Sequence, residues 1–362
     1  MKKGKKLVTR IRLAFRQNRA ALFFVVAWIA GGVLLFARVA SVPLHDAFLT
    51  ATCIAKASGG WGSIYQSFTE VVVFGAIASV VVANVTRKYR PEATARALAE
   101  DASGHVVVVG FTHLGQRVRD LVLATGGSVV VVEADQEKVA ALVRDEEPLV
   151  IGNARERGVL GSARVADAKV VVLATDDLET AAVACRLVRE LNDTCELVVR
   201  CPDEDVGSVL AKTYRARALS TSRLAAEFIR GHAVKARAKN VLVLGTNNLS
   251  DRVVEALAEK RISATTNGSP VDADLVVLCD DDLGKNLLAV DRIRDLNKRV
   301  RIICRAFHDD AAEILTRDPF ACTVLSTSRH AAESLVRAGV FREVGVLEVP
   351  AWTSNVSLSS SA

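Results

Sequence analysis

The stretch VVVVGFTHLGQRVRDLVLATGGSVVVVEAD (106–135) decides the fold of this chain. Its valine runs, glycines and amphipathic middle predict a strand, a turn, a helix and a second strand, at His105–Val109, Gly110–Gly115, 116–125 and Ser128–Val132. Glu133 ends the second strand, 23 residues after Gly110. In a unit of this layout, a phosphate lies against the helix N-terminus and the acidic residue bonds the ribose hydroxyls. The stretch therefore predicts a mononucleotide-binding, Rossmann-like unit.

The turn departs from the usual glycine pattern at one position. Thr112 stands where a second glycine would let the backbone approach a pyrophosphate closely. A Rossmann-like fold with an empty or repurposed pocket is therefore the alternative that the same residues allow.

A second copy of the unit follows the first. VDADLVVLCDDDLGKNLLAVDRIRDLN (271–297) repeats ADAKVVVLATDDLETAAVACRLVRELN (166–192) at a shift of 105 residues, and Arg200 recurs as Arg305. The repeat predicts two tandem α/β Rossmann-like domains, over 105–236 and 239–345.

The second copy is shorter than the first by about 30 residues, missing between its first helix and the strand at 275–279. Its turn, Gly245–Ser250, lacks the second glycine, and Thr265–Gly268 stands where an acid would end the second strand. We therefore expect the second domain to be a structural partner and not a nucleotide site.

The N-terminal part has the charge and hydropathy pattern of a membrane hairpin. Residues 1–19 contain eight basic residues and no acidic one, and the uncharged run Ala20–Ala37 follows them. A second apolar segment, Ser67–Val85, ends at the basic residues 87–90. Basic flanks stay on the cytoplasmic side, so we predict two spans of a cell (inner) membrane with both termini cytoplasmic. The alternatives are a nucleic-acid-binding arm at 1–19, a signal peptide for the first run and a buried core helix for the second.

The segment between the two apolar runs resembles the pore of the two-span potassium channels. A short helix is predicted over Asp46–Ala57, and the Gly-aromatic-Gly of SGGWG matches the end of the family's filter motif. The resemblance implies a re-entrant pore loop in a homotetramer, with a filter of backbone carbonyls at Ser58, Gly59, Gly60, Trp61 and Gly62. It also implies a gating hinge at Gly75, where a helix-packing glycine is the alternative.

The filter departs from the family pattern in ways that leave the ion open. Gly59 replaces a β-branched residue, Trp61 replaces tyrosine and Ser63 replaces the usual aspartate. Lys56, just ahead of the motif, would oppose the entry of cations. The resemblance therefore predicts a pore architecture and leaves the permeating cation, monovalent or divalent, open.

The soluble part resembles the domains that regulate potassium conductance, known as RCK or TrkA-N domains. Gly152-Asn153-Ala154 and the segment 166–177 match the family's G-D-A-T and A-x-x-V-V-x-x-T-x-D-D signatures. The resemblance implies NAD(H) or an adenine nucleotide as a regulatory ligand, and a ring of such domains in a tetramer. The nucleotide contacts that it implies are Gly110, Thr112, His113, Leu114, Gly115, Glu133, Asp135, Asn153, Ala154, Thr175 and Asp176.

The sequence shows none of the residue spacings typical of catalytic or metal-binding sites. None of the seven cysteines forms a CxxC pair, and the six histidines show no HxxxH or HExxH spacing, so we predict inert thiols and no metal site. The fold is followed by no Tyr-x-x-x-Lys motif and no His/Asp dyad, and we predict no catalytic residues. The acidic pairs at 176–177 and 280–282 predict helix caps, with a divalent-cation site as the alternative.

Together these patterns predict a ligand-gated, potassium-channel-like cation channel subunit that is not an enzyme and does not bind nucleic acid. The remaining segments are a cytoplasmic arm, a two-helix pore domain, a helical linker and a tail, at 1–19, 20–90, 91–104 and 346–362. The alternatives are a membrane-tethered NAD(P)-dependent oxidoreductase and a non-conducting, nucleotide-sensing regulatory subunit.

Overall fold

The structure, a computed structural model, describes residues 19, 23–39, 41–57, 60–87, 91–307 and 309–349. The described residues form two compact units. The N-terminal unit contains those up to Leu98 together with Val143–Glu146, and the C-terminal unit contains the others from Ala99 onward. The predicted arm at 1–19 and the tail at 346–362 lie almost wholly outside the described residues.

The N-terminal unit is helical. Its helices are α1 (23–39), α2 (Leu44–Ala51), α3 (Gly60–Arg87) and most of α4 (Pro91–Glu100). Phe36, Ala47 and Ala51 form a small buried core. Trp28 stacks on Tyr65 with ring centroids 5.7 Å apart. These contacts hold α1, α2 and α3 together through aromatic and alanine side chains.

One glutamine fixes the connection between α2 and α3. The Gln66 amide nitrogen donates to the carbonyls of Thr50 (3.1 Å) and Ala55 (2.6 Å). Its amide oxygen accepts from the Ala57 N–H (3.1 Å). A single side chain of α3 thus bonds three backbone groups, one in the last turn of α2 and two in the connection that follows it.

The helices differ in two ways from the sequence-based expectation. The helix predicted over Asp46–Ala57 ends at Ala51, and Cys53 takes a left-handed conformation (φ 61°) that ends helical geometry. The second long helix begins at Gly60, seven residues before the predicted Ser67. No proline interrupts 60–87, so the helix extends back through the glycines.

Among the residues that the structure describes, no helix combines the length and the apolar character that crossing a bilayer requires. The two predicted spans are therefore not supported by the described helices.

The C-terminal unit contains a first sheet of six parallel strands in the order β3-β2-β1-β4-β5-β6. Valine fills β1 and most of β2 and β4, and their side chains are buried on both faces, as in a sheet covered by helices on each side. The strands are β1 (Val106–Val109), β2 (Val129–Glu133), β3 (Leu149–Ile151), β4 (Val170–Leu173), β5 (Glu196–Arg200) and β6 (Arg217–Leu219). The helices are α5 (His113–Ala124), α6 (Ala140–Arg144), α7 (Arg157–Ser162), α8 (Leu178–Leu191), α9 (Glu204–Tyr214) and α10 (Thr221–Lys235).

The second sheet has five parallel strands in the order β11-β10-β9-β7-β8. This is the order of the first sheet without a counterpart of β3, which agrees with the residues missing from the second copy. Two tandem Rossmann-like domains are thereby confirmed. The strands are β7 (Asn240–Leu244), β8 (Ser263–Thr265), β9 (Leu275–Leu278), β10 (Arg301–Arg305) and β11 (Thr323–Leu325). The helices are α11 (Asn248–Ala258), α12 (Leu283–Leu296), α13 (Asp309–Thr316) and α14 (Thr327–Arg337).

The helix after the last strand of each copy packs on the other copy. From α10, Ala225, Ala226 and Ile229 are buried in the core of the second sheet, and α10 packs on α11. The corresponding helix of the second copy, α14, packs on α5 and on α10. The two Rossmann-like domains are therefore joined by an exchange of helices as well as by the chain.

Candidate nucleotide-binding site

The turn between β1 and α5 is as tight as its glycines allow. Gly110 has a φ of 91°, and a Cβ at this position would lie 2.9 Å from the Thr175 nitrogen. A Cβ on Gly115 would lie 2.2 Å from the Gly110 carbonyl oxygen. Only glycine fits at either position, so the start of α5 lies directly against the end of β1.

Thr112 closes the turn in place of a second glycine. Its hydroxyl donates to the Ala174 carbonyl oxygen (2.8 Å) and accepts from the Gly115 N–H, which makes Thr112 the N-cap of α5. Leu114 is buried in the domain, so it could meet a ligand only through its backbone. The first N–H groups of α5 and the positive end of its dipole form the part of the turn suited to a phosphate.

The carboxylate of Glu133 links the turn to the end of β2. One oxygen accepts from the Phe111 N–H (2.6 Å) and the other from the Asp135 N–H (3.0 Å). Glu133 therefore lies at the mouth of the turn, where a ribose would follow a phosphate. Asp135 is exposed, and its carboxylate accepts from the Glu137 N–H (3.0 Å).

The segments after β3 and β4 complete this edge of the sheet. The Gly152 N–H donates to the Glu133 carbonyl (2.9 Å), which places Asn153 beside the end of β2. Asn153 is exposed and its side chain accepts from the Arg155 N–H (2.9 Å), whereas Ala154 is buried. The structure thus brings the glycine turn, Glu133 and Thr175 together by direct contacts. Asp135 and Asp176 are close to Glu133 and Thr175 in the chain, and Asn153 follows Gly152, which bonds the Glu133 carbonyl.

Sequence reasoning missed two arginines at the ends of corresponding strands. Arg200 ends β5 and forms an ion pair with Asp176, and Arg305 ends β10 and forms an ion pair with Asp281. Burial, and to a smaller degree the charge of Arg305, lower the pKa of Arg200. The recurrence of Arg200 as Arg305 was the signal in the sequence that could have identified them.

The second domain also reaches the glycine turn with an aromatic ring. Phe307 stacks on His113, the first residue of α5, with ring centroids 4.5 Å apart and planes 9° apart. Arg117 donates to the Phe307 carbonyl (3.1 Å), and the Arg305 guanidinium lies 4.6 Å from the Phe307 ring centroid. The segment after β10 is therefore packed against the start of α5.

The acidic pairs act as helix caps. The Asp177 side chain accepts from the Glu179 and Thr180 N–H groups at the start of α8, and Asp282 accepts from the Lys285 N–H at the start of α12. Within the described residues, no group of three or more His, Cys, Asp or Glu side chains could hold a metal ion.

The turn of the second copy is closed by its own side chains. Asn247 and Ser250 form a capping box at the start of α11, and the Asn247 amide donates to the Cys279 carbonyl (2.7 Å). The strand β8 ends at Thr265, so no carboxylate stands in the place that Glu133 occupies.

The predicted filter residues are helical where the structure describes them. Ser58 and Gly59 lie outside the described residues, and Gly60, Trp61 and Gly62 form the first turn of α3. Trp61 stacks on Phe36 (4.8 Å), and this contact holds the turn against α1. These three residues are therefore helical, and the filter role that the resemblance implied for them stays a prediction. Gly75 lies inside α3, and a Cβ there would meet no atom within 4 Å.

Comparison with known proteins gives the family of the first domain. Residues 106–220 match the TrkA-N domain family. A Trk system potassium uptake protein TrkA homolog of Methanothermobacter thermautotrophicus is 25% identical over 175 residues, which are 48% of this chain and 81% of that protein. The glutathione-regulated potassium-efflux system protein KefC of Escherichia coli is 25% identical over 144 residues. That match covers 39% of this chain and 23% of KefC, so the chain spans about a quarter of KefC.

Solved structures of similar fold extend over nearly the whole chain. The structure described as the GsuK Channel has a TM-score of 0.69 at 16% identity and covers 92% of this chain and 99% of its own. The crystal structure of GsuK bound to ADP has a TM-score of 0.63 at 16% identity, covering 91% of this chain and 97% of its own. The GsuK channel bound to NAD has a TM-score of 0.64 at 13% identity, covering 93% and 85%. The comparisons therefore show a TrkA-N domain over residues 106–220, in a chain whose fold is similar to that of GsuK.

Proposed function

We propose that this chain is the subunit of a nucleotide-regulated, potassium-channel-like cation channel. The C-terminal unit senses the nucleotide, and the N-terminal unit contributes to a pore in a homotetramer. The chain is a regulator of transport and not an enzyme. The observation that carries the proposal is the turn in which Gly115 lies against the Gly110 carbonyl and Glu133 holds the Phe111 N–H.

The chemistry of this turn fits the ADP portion of a nucleotide. A diphosphate is placed at the N-terminus of α5, and the ribose hydroxyls are placed on Glu133. Asp135, Asn153, Ala154, Thr175 and Asp176 border the same ligand. GsuK has been solved with ADP and with NAD, which have the ADP portion in common, so NAD(H) and adenine nucleotides are the proposed ligands.

A nucleotide regulates a pore only if it binds one state of the protein more tightly than the other. A hundredfold difference in affinity per site corresponds to about 2.7 kcal/mol, and four sites in a tetramer multiply this bias. Moderate affinity differences at the turn are thus sufficient for gating.

The pore proposal rests on the N-terminal unit. The similarity to the GsuK Channel covers 92% of this chain, and it therefore includes residues of this unit. Large apolar side chains are exposed along α1 and α3, a surface that suits lipid or neighbouring subunits. We place the unit in the cell (inner) membrane with both termini cytoplasmic. The exposed side chains include Phe23, Phe24, Val26, Leu34, Leu35, Phe68, Val71, Phe74 and Ile77.

Calorimetric titration of the purified full chain with NAD, NADH, ADP and ATP tests the sensing function. Glu133→Gln retains one oxygen that can accept a backbone N–H but removes the charge that binds the ribose. We expect it to lose about 1.5–3 kcal/mol of binding, which is about 10- to 150-fold in affinity. Glu137→Gln, an exposed residue in the following loop, makes the same charge change and should bind as the unchanged chain does.

Bilayer recording with the same ligands tests the pore. Unitary currents that respond to the bound nucleotide would support a channel, and their reversal potentials would identify the cation. If the chain binds nucleotide and remains silent in the bilayer, the pore proposal is wrong and the sensing proposal stands. If no nucleotide binds, the sensing proposal fails.

A further inference from the structure

The strongest unexplained feature is the pair of strand-end arginines. The side chains of Arg200 and Arg305 are only 25% and 15% exposed. In each, the buried Nε has no hydrogen-bond partner in the structure. A buried N–H without an acceptor is costly, and the same omission at corresponding positions of both copies calls for a common explanation.

The two guanidinium groups are neighbours across the two copies. Burial is the larger cause of the lowered pKa of Arg200, and the charge of Arg305 adds to it. Their carboxylate partners are much more exposed, at 67% for Asp176 and 59% for Asp281. In each pair the arginine is therefore the more buried partner, and the aspartate is the one that solvent reaches.

The arginines are connected to the glycine turn from both sides. On one side, Gly110 lies so near Thr175 that a Cβ on the glycine would be 2.9 Å from the Thr175 nitrogen, and the next residue, Asp176, pairs with Arg200. On the other side, Arg305 lies over Phe307, and Phe307 stacks on His113 at the start of α5. The carboxyl ends of the two sheets thus meet at the turn, and the two arginines lie at their meeting point.

We propose that Arg200 and Arg305 together bind a phosphoryl group of the ligand at the turn, so that one nucleotide is held by both Rossmann-like domains. The inference rests on the proposed nucleotide function and adds the second domain to the site. Guanidinium groups match phosphate oxygens in charge and geometry, and the two Nε–H groups gain the acceptors that they lack. Asp176 and Asp281 release the arginines by turning into solvent.

If the arginines bind a phosphoryl group, replacing them should weaken the binding of phosphorylated ligands and leave the binding of adenosine, which has a ribose but no phosphate, unchanged. Adenosine, AMP, ADP and pyrophosphate are titrated against the full chain and against Arg305→Gln and Arg200→Gln. Each variant should lose about 10- to 100-fold in affinity for ADP and keep its affinity for adenosine within about twofold. Because both arginines hold one group, the double variant should lose less than the product of the two single losses.

Arg301→Gln is the matched control, since Arg301 lies at the opposite end of the same strand and is exposed. It should bind ADP as the unchanged chain does. Asp281→Asn removes a competing carboxylate at an exposed position, so it should fold normally and bind ADP more tightly. This variant keeps the test decisive if Arg305→Gln unfolds, and thermal unfolding of each variant is measured alongside.

The outcomes separate this inference from the proposed function. If the unchanged chain binds ADP but Arg305→Gln and Asp281→Asn leave its affinity unaltered, the inference is overturned and the nucleotide function stands. If pyrophosphate binds and Arg305→Gln weakens that binding, while ADP, AMP and adenosine do not bind, the arginines hold a free phosphoryl anion and the nucleotide function fails. If no ligand binds the unchanged chain, both fail.

Discussion

Gly115→Ala is the change that tests the geometry of the turn most directly. The new Cβ would lie 2.2 Å from the Gly110 carbonyl oxygen, which is about 1.2 Å short of an ordinary contact. The obstacle is backbone and cannot rotate away, so α5 must move from the end of β1. Overpacking of this kind costs about 3 kcal/mol, and the higher helix propensity of alanine returns about 1 kcal/mol. We expect a net loss of about 2 kcal/mol in the free energy of unfolding.

Thermal unfolding of the full chain measures this loss. For a unit of this size, about 2 kcal/mol corresponds to a fall of roughly 4–8 °C in Tm. Gly231→Ala is the matched control, because Gly231 lies inside α10 and a Cβ there would meet no atom within 4 Å. It should raise the free energy of unfolding by about 0.5–1 kcal/mol.

Binding gives a second measure of the same change. Displacement of α5 moves the N–H groups that face the phosphate, so Gly115→Ala should also weaken ADP binding at a temperature where the variant is folded. Equal Tm values for Gly115→Ala and Gly231→Ala would refute the tight approach of α5 to β1. A stable Gly115→Ala variant with unaltered ADP affinity would refute the placement of the phosphate.

Three further predictions concern other parts of the C-terminal unit. Thr112→Val removes the N-cap of α5 and the hydrogen bond to the Ala174 carbonyl. It should lower the free energy of unfolding, measured in urea, by about 2 kcal/mol. An unchanged urea midpoint would show that the cap is dispensable. Burial lowers the pKa of His105 in the folded protein, so the unfolded chain binds more protons just below its ordinary pKa. The free energy of unfolding should therefore fall as pH decreases from about 7 towards the folded pKa, and His105→Asn, compared in urea titrations at pH 7 and 5.5, should reduce that slope. Burial raises the pKa of Cys185 and of Cys279 to about 12. A disulfide reagent at pH 8 should therefore leave both thiols unlabelled in the native protein and label them in urea. Labelling without urea would contradict their burial.

Local patterns in the sequence were sufficient for the two sheets. The valine runs of β1 and β4 are buried on both faces, which is the case in which hydrophobicity alone identifies a strand. The repeat then indicated the second domain, and the residues missing from it agree with the absence of a counterpart to β3 in the second sheet. The glycine turn and Glu133 were also predicted, because a helix that begins directly after a strand requires glycine at fixed spacing.

Contacts between distant residues were beyond the sequence. The amphipathic pattern of α10 shows that one face is buried, but not that the face packs on the second sheet. The stacking of Phe307 on His113 joins residues that are far apart in the chain and belong to different Rossmann-like domains. The start of α3 at Gly60 was missed for a related reason, since the contact between Trp61 and Phe36 favours a helix that the glycines alone do not.

The differences between the two copies indicate how the site is divided. The second copy lacks a carboxylate at the end of β8, and the capping box of Asn247 and Ser250 closes its turn, so it does not have the two features by which the first copy would hold a nucleotide. It nevertheless retains the Arg305–Asp281 pair and adds Phe307, which faces the turn of the first copy. The second copy has thus lost the carboxylate that would bind its own nucleotide and has kept the residues that lie towards the first copy. A single ligand shared by both domains would require this division. The first domain would supply the turn and Glu133, and the second would supply the Arg305 guanidinium to a phosphoryl group of the same ligand.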